Sequence, residues 1–493
     1  MSDRRSRSRP TRPAYGRKRC AVAVALLFAA ACSGAEVLTY TLTPRPESGR
    51  LEVELVWQTG PRDASALSVS EQFGPLTDVP AQIGDLRVQG AGGGQRRGAA
   101  WLLRHRPNAT VTCRYVVSTA GQPPAPSQWL RPVVTPTFFH GVGNAFLLVP
   151  HVGAGYPETY DVLLRWRLPA GWRGACSWGV GGVVSDRLSP ADVRHSVYLA
   201  GALLTHRAAL AGGGELTLAM VDAFAFDAAR LADLAATLIT DQCDFMRESR
   251  FPPFVITAMP AGRAVPGETT PIGGLGLYRS LALALPAETP ITDTIEHLLA
   301  HEIFHYWNGR LLRPADPEDL VAWFTEGLTD YYALRLLHER GRWTADTLAV
   351  WLNRHLAAYV ENPARNATNE EIRARRRGAA KTYGEVAYQR GLLLGLRWHR
   401  LARDRGVSDG LDRLFRELVE RGRTTGLRAS NDNVRSIGTR VLGAWFAEEF
   451  DRHVARGDTV ELPEDALAPA LRLERGVVPP RFVVPGAVAP KGE

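Results

Sequence analysis

The chain has 493 residues, room for two to four domains and a sizeable core, and its 45% hydrophobic and 22% charged residues are those of an ordinary globular protein. A formal net charge of +8 suggests an anionic partner, but residues 1–19 alone carry +7, from eight arginines and lysines against Asp3. About +1 remains for the rest, which removes the long-range electrostatic case for nucleic acid or any other polyanion.

The basic segment runs into Ala21 through Ala31, an apolar stretch too short to span a bilayer as a helix. A positive leader, a short apolar run and small residues after it describe a secretory signal peptide over 1–35, with cleavage after Ala31 or Ala35. Cys32 follows small residues, as at a bacterial lipoprotein processing site, although Ala29 stands where Leu is usual. The expectation is an exported protein, periplasmic or secreted, attached to a membrane only if Cys32 is acylated. A disordered basic N-terminus on a cytosolic protein is the competing reading. No other run is long and apolar enough to cross a membrane.

Residues 36–215 show short alternating or β-rich runs: 37–42, 51–57, 109–117, 160–168 and 196–203. Glycine and proline clusters such as 92–94, 123–126 and 212–214 separate them, which predicts an all-β sandwich or barrel. Nothing in it assembles a catalytic set, so its expected task is to pack beside the catalytic domain. Cys113, Cys176 and Cys243 lack metal-ligand spacing. A Cys113–Cys176 bridge and three buried thiols are both open.

Residues 216–341 change pattern. Strand-like 216–221 precedes a helix candidate over 227–247, with Leu231, Leu234, Leu238 and Ile239 at helical spacing. Strand-like 254–259, a glycine-bearing loop over 270–278 and strand-like 280–285 follow. An edge strand at Gly273, Gly274 and Leu275 would hold an extended substrate by main-chain hydrogen bonds, and the glycines would allow the close approach; an ordinary glycine turn is the alternative.

The next helix begins at Asp293 with Glu296 three residues on, a capping-box pattern, and turns Ile295, Leu298 and Leu299 to the core. It carries His301-Glu302-Ile303-Phe304-His305. Histidines four apart share one helix face, so both imidazoles reach one Zn²⁺, while Glu302 leans over the open side to take a proton from the activated water. Composition alone would produce this pattern in about one such chain in a hundred. A second helix is predicted from Asp316-Pro317 through Tyr332. On it Glu326 is the expected third ligand, and Asp330, on the same face, would accept a hydrogen bond from a ligating histidine. Three protein ligands and one open position describe a catalytic site for a single zinc ion.

Residues 342–476 read as helical, with segments over 344–360, 382–404, 409–421 and 431–456, and 477–493 as a flexible tail. The charge run 373–377 is expected to be a solvated loop. The fold class is therefore multidomain α+β: an N-terminal all-β sandwich-like domain, a zinc catalytic domain and a C-terminal helical domain.

The zinc stretch, with Trp307-Asn308, Arg313-Pro314-Ala315-Asp316 and Trp323-Phe324-Thr325-Glu326-Gly327, resembles the glycyl aminopeptidase family of zinc metallopeptidases, here without the PDZ domain that often follows. The resemblance implies a thermolysin-like catalytic domain, with His301, His305 and Glu326 on zinc and Glu302 as general base. It also implies that Tyr388, in Tyr388-Gln389-Arg390-Gly391, donates to the oxyanion, Arg390 standing in for the family's Lys. From the residues alone Tyr388 would be a core tyrosine on a helix. The family places a Glu for the substrate's α-amine where this chain has Gly276. The expected activity is hydrolysis of peptide bonds in a peptide or protein substrate, with the need for a free N-terminus open. A zinc hydrolase of a non-peptide substrate and a non-catalytic envelope peptide-binding protein are the alternatives.

Overall fold

The computed structural model describes residues 36–119, 129–151, 155–263, 272–315, 317–376 and 378–486. The expected signal peptide with Cys32, the 123–126 cluster, residues 270 and 271, Asp316, Arg377 and the end of the tail lie outside these. The fold is mixed α+β, a β-rich N-terminal part followed by a central part of sheet and helices and a helical C-terminal part, and it groups into two compact units. The first is the chain up to Leu204 with Ala219–Asp222 and Met259–Gly262; the second is Thr205–Leu218, Ala223–Ala258 and everything from Arg263 on.

In the first unit, strands Val183–Leu188, Tyr160–Trp166, Val37–Arg45, Arg50–Gln58, Thr110–Ser118 and Ile83–Gln89 form a six-stranded sheet in that order. Leu51, Val53, Leu55 and Trp57 lie across from Val117, Tyr115, Cys113 and Val111, and all eight are buried. The period-two pattern therefore becomes one core-facing side. A four-stranded and a five-stranded sheet complete the β structure. One short helix, α1 (Pro190–Arg194), interrupts it, started by a capping box of Ser189 and Asp192. Cys113 and Cys176 are buried and free, so of the two readings the buried thiols hold, and burial pushes the Cys113 thiol up to about 12.

A further five-stranded sheet, most of whose residues belong to the second unit, runs in the order Leu203–Ala209, Glu215–Val221, Phe254–Pro260, Ser280–Leu285, Gly273–Leu277. Helix α2 (Ala228–Met246) is capped by Asp227, whose carboxylate accepts from the Ala229 amide at 2.9 Å. Then come α3 (Asp293–Phe304), α4 (Leu328–Glu339), α5 (Ala345–Glu361), α6 (Asn369–Arg375), α7 (Glu385–Asp404), α8 (Gly410–Thr425), α9 (Asn431–Leu442) and α10 (Trp445–Phe450). Phe245 of α2, Phe304 of α3, Tyr332 of α4 and Phe415 of α8 share one aromatic cluster, Tyr332 lying 4.9 Å from Phe245 and 5.2 Å from Phe304 by ring centroids. The boundary expected at 341 falls inside this unit, where α4 and α7 pack together.

Five local expectations differ from the structure, one of them at the 373–377 charge run, where 373–375 close helix α6 instead of forming a loop. The helix expected from 316 is a 3₁₀ turn (Glu318–Val321) and a π-helical turn (Trp323–Gly327) before α4 begins. The Asn308 amide takes the Phe324 carbonyl at 2.9 Å and the Thr325 carbonyl at 3.3 Å, drawing them out of a regular α ladder. At α3, Thr292 rather than Asp293 is the N-cap, and Glu296 turns to Trp343 and Arg342 instead of back to the cap. The 431–456 helix breaks at Gly443, whose φ of 106° no other residue adopts easily. The segment read as a loose tail contains strand Arg481–Val483, which pairs with Arg472–Glu474 and is pinned where Phe482 exchanges main-chain hydrogen bonds with the Asn353 amide.

The 323–327 turn meets α7 at two glycines. A Cβ on Gly391 would stand 1.8 Å from the Trp323 carbonyl oxygen, and one on Gly327 would stand 2.5 Å from the Gly391 Cα. The obstacles are backbone, so a methyl group there forces the segments apart. Gly391→Ala is expected to destabilise the protein by about 3 kcal/mol, read as a lower urea midpoint at unchanged slope.

Candidate active site

Helix α3 puts His301 and His305 on one face, and each Nδ1 meets an acceptor that cannot donate: Asp330 Oδ1 at 2.7 Å for His301, the Asn308 carbonyl at 2.9 Å for His305. Both Nδ1 atoms therefore carry the hydrogen and both Nε2 atoms point inward, 3.0 Å apart. Two bare lone pairs at that distance repel unless a proton or cation lies between them. Glu326 closes the triangle, its Oε2 3.4 Å from His301 Nε2 and 3.5 Å from His305 Nε2. Zinc with ligands about 2.0–2.1 Å away in a tetrahedron separates them by about 3.3 Å, so the donor set fits that ion.

The electrostatics agree. Burial works against a charged His301, but Asp330, Glu326 and Glu302 outweigh it and hold its pKa well above the usual histidine value. At His305 burial is likewise outweighed, chiefly by Glu326. Burial raises Asp330, and His301 with His297 pulls it well below the carboxylate range. The same balance, set by His305 and His301, keeps Glu326 ionised. Three carboxylates thus surround two imidazoles, a demand for positive charge that a divalent cation meets.

Glu302 extends beside the triad, its Oε2 accepting the Gly276 amide hydrogen at 2.8 Å. Of the two readings of this stretch the edge strand holds: Gly273–Leu277 lies at one end of its sheet, in register Gly273↔Ala284, Gly274↔Leu283, Leu275↔Ala282. Pairing with the apolar Ser280–Leu285 strand overrides the turn tendency of the glycines, and their lack of side chains serves packing. A Cβ on Gly274 would stand 2.7 Å from Glu302 Cγ and 2.9 Å from Leu298, which is half-buried there. Tyr388 of α7 lies nearly parallel to the His301 ring, centroids 6.3 Å apart, with Glu326 acting on its phenol. Burial and then Glu326 keep its phenol protonated. Arg390 turns away from the triad: buried, it donates to the Arg365 carbonyl at 2.9 Å and the Ala367 carbonyl at 2.6 Å.

A family model described as M61 glycyl aminopeptidase matches residues 294–385, which contain the triad, Glu302 and Asp330. That stretch of the chain is similar to this zinc-metallopeptidase family. No curated relative matches it. Among solved structures it is similar to an aminopeptidase N family protein from Idiomarina loihiensis, at 19% identity and TM-score 0.70, over 87% of this chain and 78% of that one. It is also similar to an M1 zinc metallopeptidase from Deinococcus radiodurans, at 14% identity and TM-score 0.58, over 87% and 96%. A variant of the Deinococcus enzyme bound to a Tyr-Ser-Ala substrate matches at 15% identity and TM-score 0.56, over 87% and 95%. At such identities these likenesses carry the fold.

Two residues of this site were not singled out for it from sequence. Asn308 ties the end of α3 to the Glu326 segment through its amide and orients His305 through its carbonyl. His297 completes a run of three histidines spaced by four, and the run itself was the available signal. Asp330→Asn is expected to weaken zinc binding 10- to 100-fold, measured by competition with a chromophoric chelator. Because the imidazoles of the metal-free protein titrate above the ordinary histidine value, protons compete for them from that raised pKa downward. Affinity should therefore fall as pH drops, by about tenfold per unit for each proton displaced; a flat profile between pH 8 and 5 would contradict the assignment.

Proposed function

We propose that the protein is a zinc-dependent peptidase that acts outside the cytoplasm and hydrolyses peptide bonds without needing a free substrate N-terminus. The observation that carries it is the placement of Glu302 beside a three-donor triangle sized for zinc. His301, His305 and Glu326 would hold one ion, which when bound polarises a carbonyl and acidifies water. Glu302 takes the proton of the attacking water and returns it to the departing amine. The Tyr388 phenol, held protonated, donates to the oxygen on which charge develops. Gly273, Gly274 and Leu275 offer main-chain groups to an extended peptide from the end strand of the sheet. The basic-then-apolar N-terminus supports export, and a membrane attachment would follow only if Cys32 is acylated.

The N-terminal specificity rests on Gly276. No carboxylate stands at the position that the family resemblance assigns to binding the α-amine, and a buried ammonium without a partner is costly. Peptides with free and acetylated N-termini should therefore be cleaved within about tenfold of each other in kcat/KM, since no ion pair is forfeited. Strict dependence on a free amine would overturn this.

Glu302→Gln should retain zinc and lose at least about two orders of magnitude in kcat. Tyr388→Phe should lose about 100- to 1,000-fold in kcat with KM little changed. Full activity in the Gln variant would remove the mechanism.

A further inference from the structure

We infer that His297, one turn ahead of His301 on α3, is a positioning residue of the zinc site that acts through the Asp330 carboxylate. The inference rests on the zinc reading of the triad. His297 Nε2 is buried, has no well-aligned hydrogen bond, and lies 3.1 Å from Asp330 Oδ1, the same oxygen that His301 Nδ1 meets at 2.7 Å. Asp330 is 4% exposed, and among the described residues its ion-pair partners are these two imidazoles. A carboxylate this deeply buried needs more than one polar neighbour to be held ionised, and a small turn of the His297 ring brings its N–H into line. Held from one side only, it could turn about its side-chain bonds and take the His301 ring with it. Held by successive turns of one helix, it fixes the His301 ring plane and the tautomer that leaves Nε2 for the cation.

The His297 ring is itself held. It packs on Trp351 at 4.5 Å between centroids and 38° between planes, with Trp343 and His355 each at 6.5 Å. The Trp351 indole N–H donates to Asp293 at 3.0 Å and that of Trp343 to Glu296 at 2.8 Å. Arg342 donates to the other Glu296 oxygen at 2.9 Å. The two acids at the start of α3 thus anchor an aromatic shelf, and the shelf aims an imidazole at Asp330.

The test is a double-mutant cycle on zinc affinity in the full chain, by competition with a chromophoric chelator, using zinc alone as the probe. His297→Phe keeps a ring on the Trp351 shelf and removes the donor; His297→Gln restores one; each is also combined with Asp330→Asn. His297→Phe should weaken zinc about tenfold and His297→Gln less than about threefold. In the Asp330→Asn background, His297→Phe should add less than about twofold, since the group it works through is altered. An unchanged affinity in His297→Phe overturns the inference, and so does an equal loss in both backgrounds, which marks a packing role. Should His297→Phe not fold, His297→Leu enters the same cycle with the same criteria. Wild-type protein that takes up no zinc would instead overturn the reading beneath it, whatever the variants do.

Discussion

Two imidazole nitrogens facing each other at 3.0 Å constrain the rest of this structure. Left to themselves they would turn apart, and every neighbouring element resists that turn. Asp330 and the Asn308 carbonyl each hold one Nδ1, so neither ring can present its other nitrogen without losing a buried hydrogen bond. The helix supplies the spacing, and the acceptors supply the direction. Glu326 adds the third donor from a segment that is sequence-distant but tied to α3 through Asn308. The polar network costs nothing in unpaired donors only if a cation sits where the three converge, which links metal binding to the stability of this part of the fold.

Backbone proximity matters as much as side-chain choice. The π-helical turn that carries Glu326 reaches its place because Gly327 and Gly391 let α7 lie directly against it, and the same crossing brings Tyr388 to Glu326 and His301. On the other flank, Gly274 and Gly276 let the end strand lie against α3 at Glu302. A site of this kind is assembled by two close approaches, of a turn to α7 and of a strand to α3, each needing residues without a side chain. The non-α turns at 306–311 and 323–327 fall beside the ligands, where π-helical insertions commonly mark functional sites.

Much of this was legible in the sequence because it rests on local periodicity. His301, Glu302 and His305 need only 3.6 residues per turn, and Glu326 with Asp330 needs only the same spacing on the next element. The β-rich half was visible for the same reason, its strands 50–58 and 110–118 alternating cleanly. Illegible were the features set by tertiary contact. The acids Asp293 and Glu296 look like a cap in sequence, yet two indoles from later in the chain claim them. The Gly273–Leu277 stretch left a turn and an edge strand both open, and only the apolar strand beside it decides for the strand. The break between α9 and α10 and the pinned Phe482 likewise depend on partners that no sequence window contains.

Position 276 shows how one residue serves two demands at once. Resemblance places an acid there, and here the side chain is absent while the amide is used, donating to Glu302 at 2.8 Å. A carboxylate that accepts a fixed main-chain hydrogen bond loses rotational freedom, and a general base held in one orientation meets the water's proton at a lower entropic cost. An extended side chain at 276 would start 3.1 Å from the Glu302 carbonyl oxygen and 3.2 Å from His305 Cβ, crowding the helix that carries the ligands. Glycine therefore lets strand and helix close on each other and gives the Glu302 carboxylate its anchor, so that the close packing and the fixing of Glu302 are two consequences of the same missing side chain.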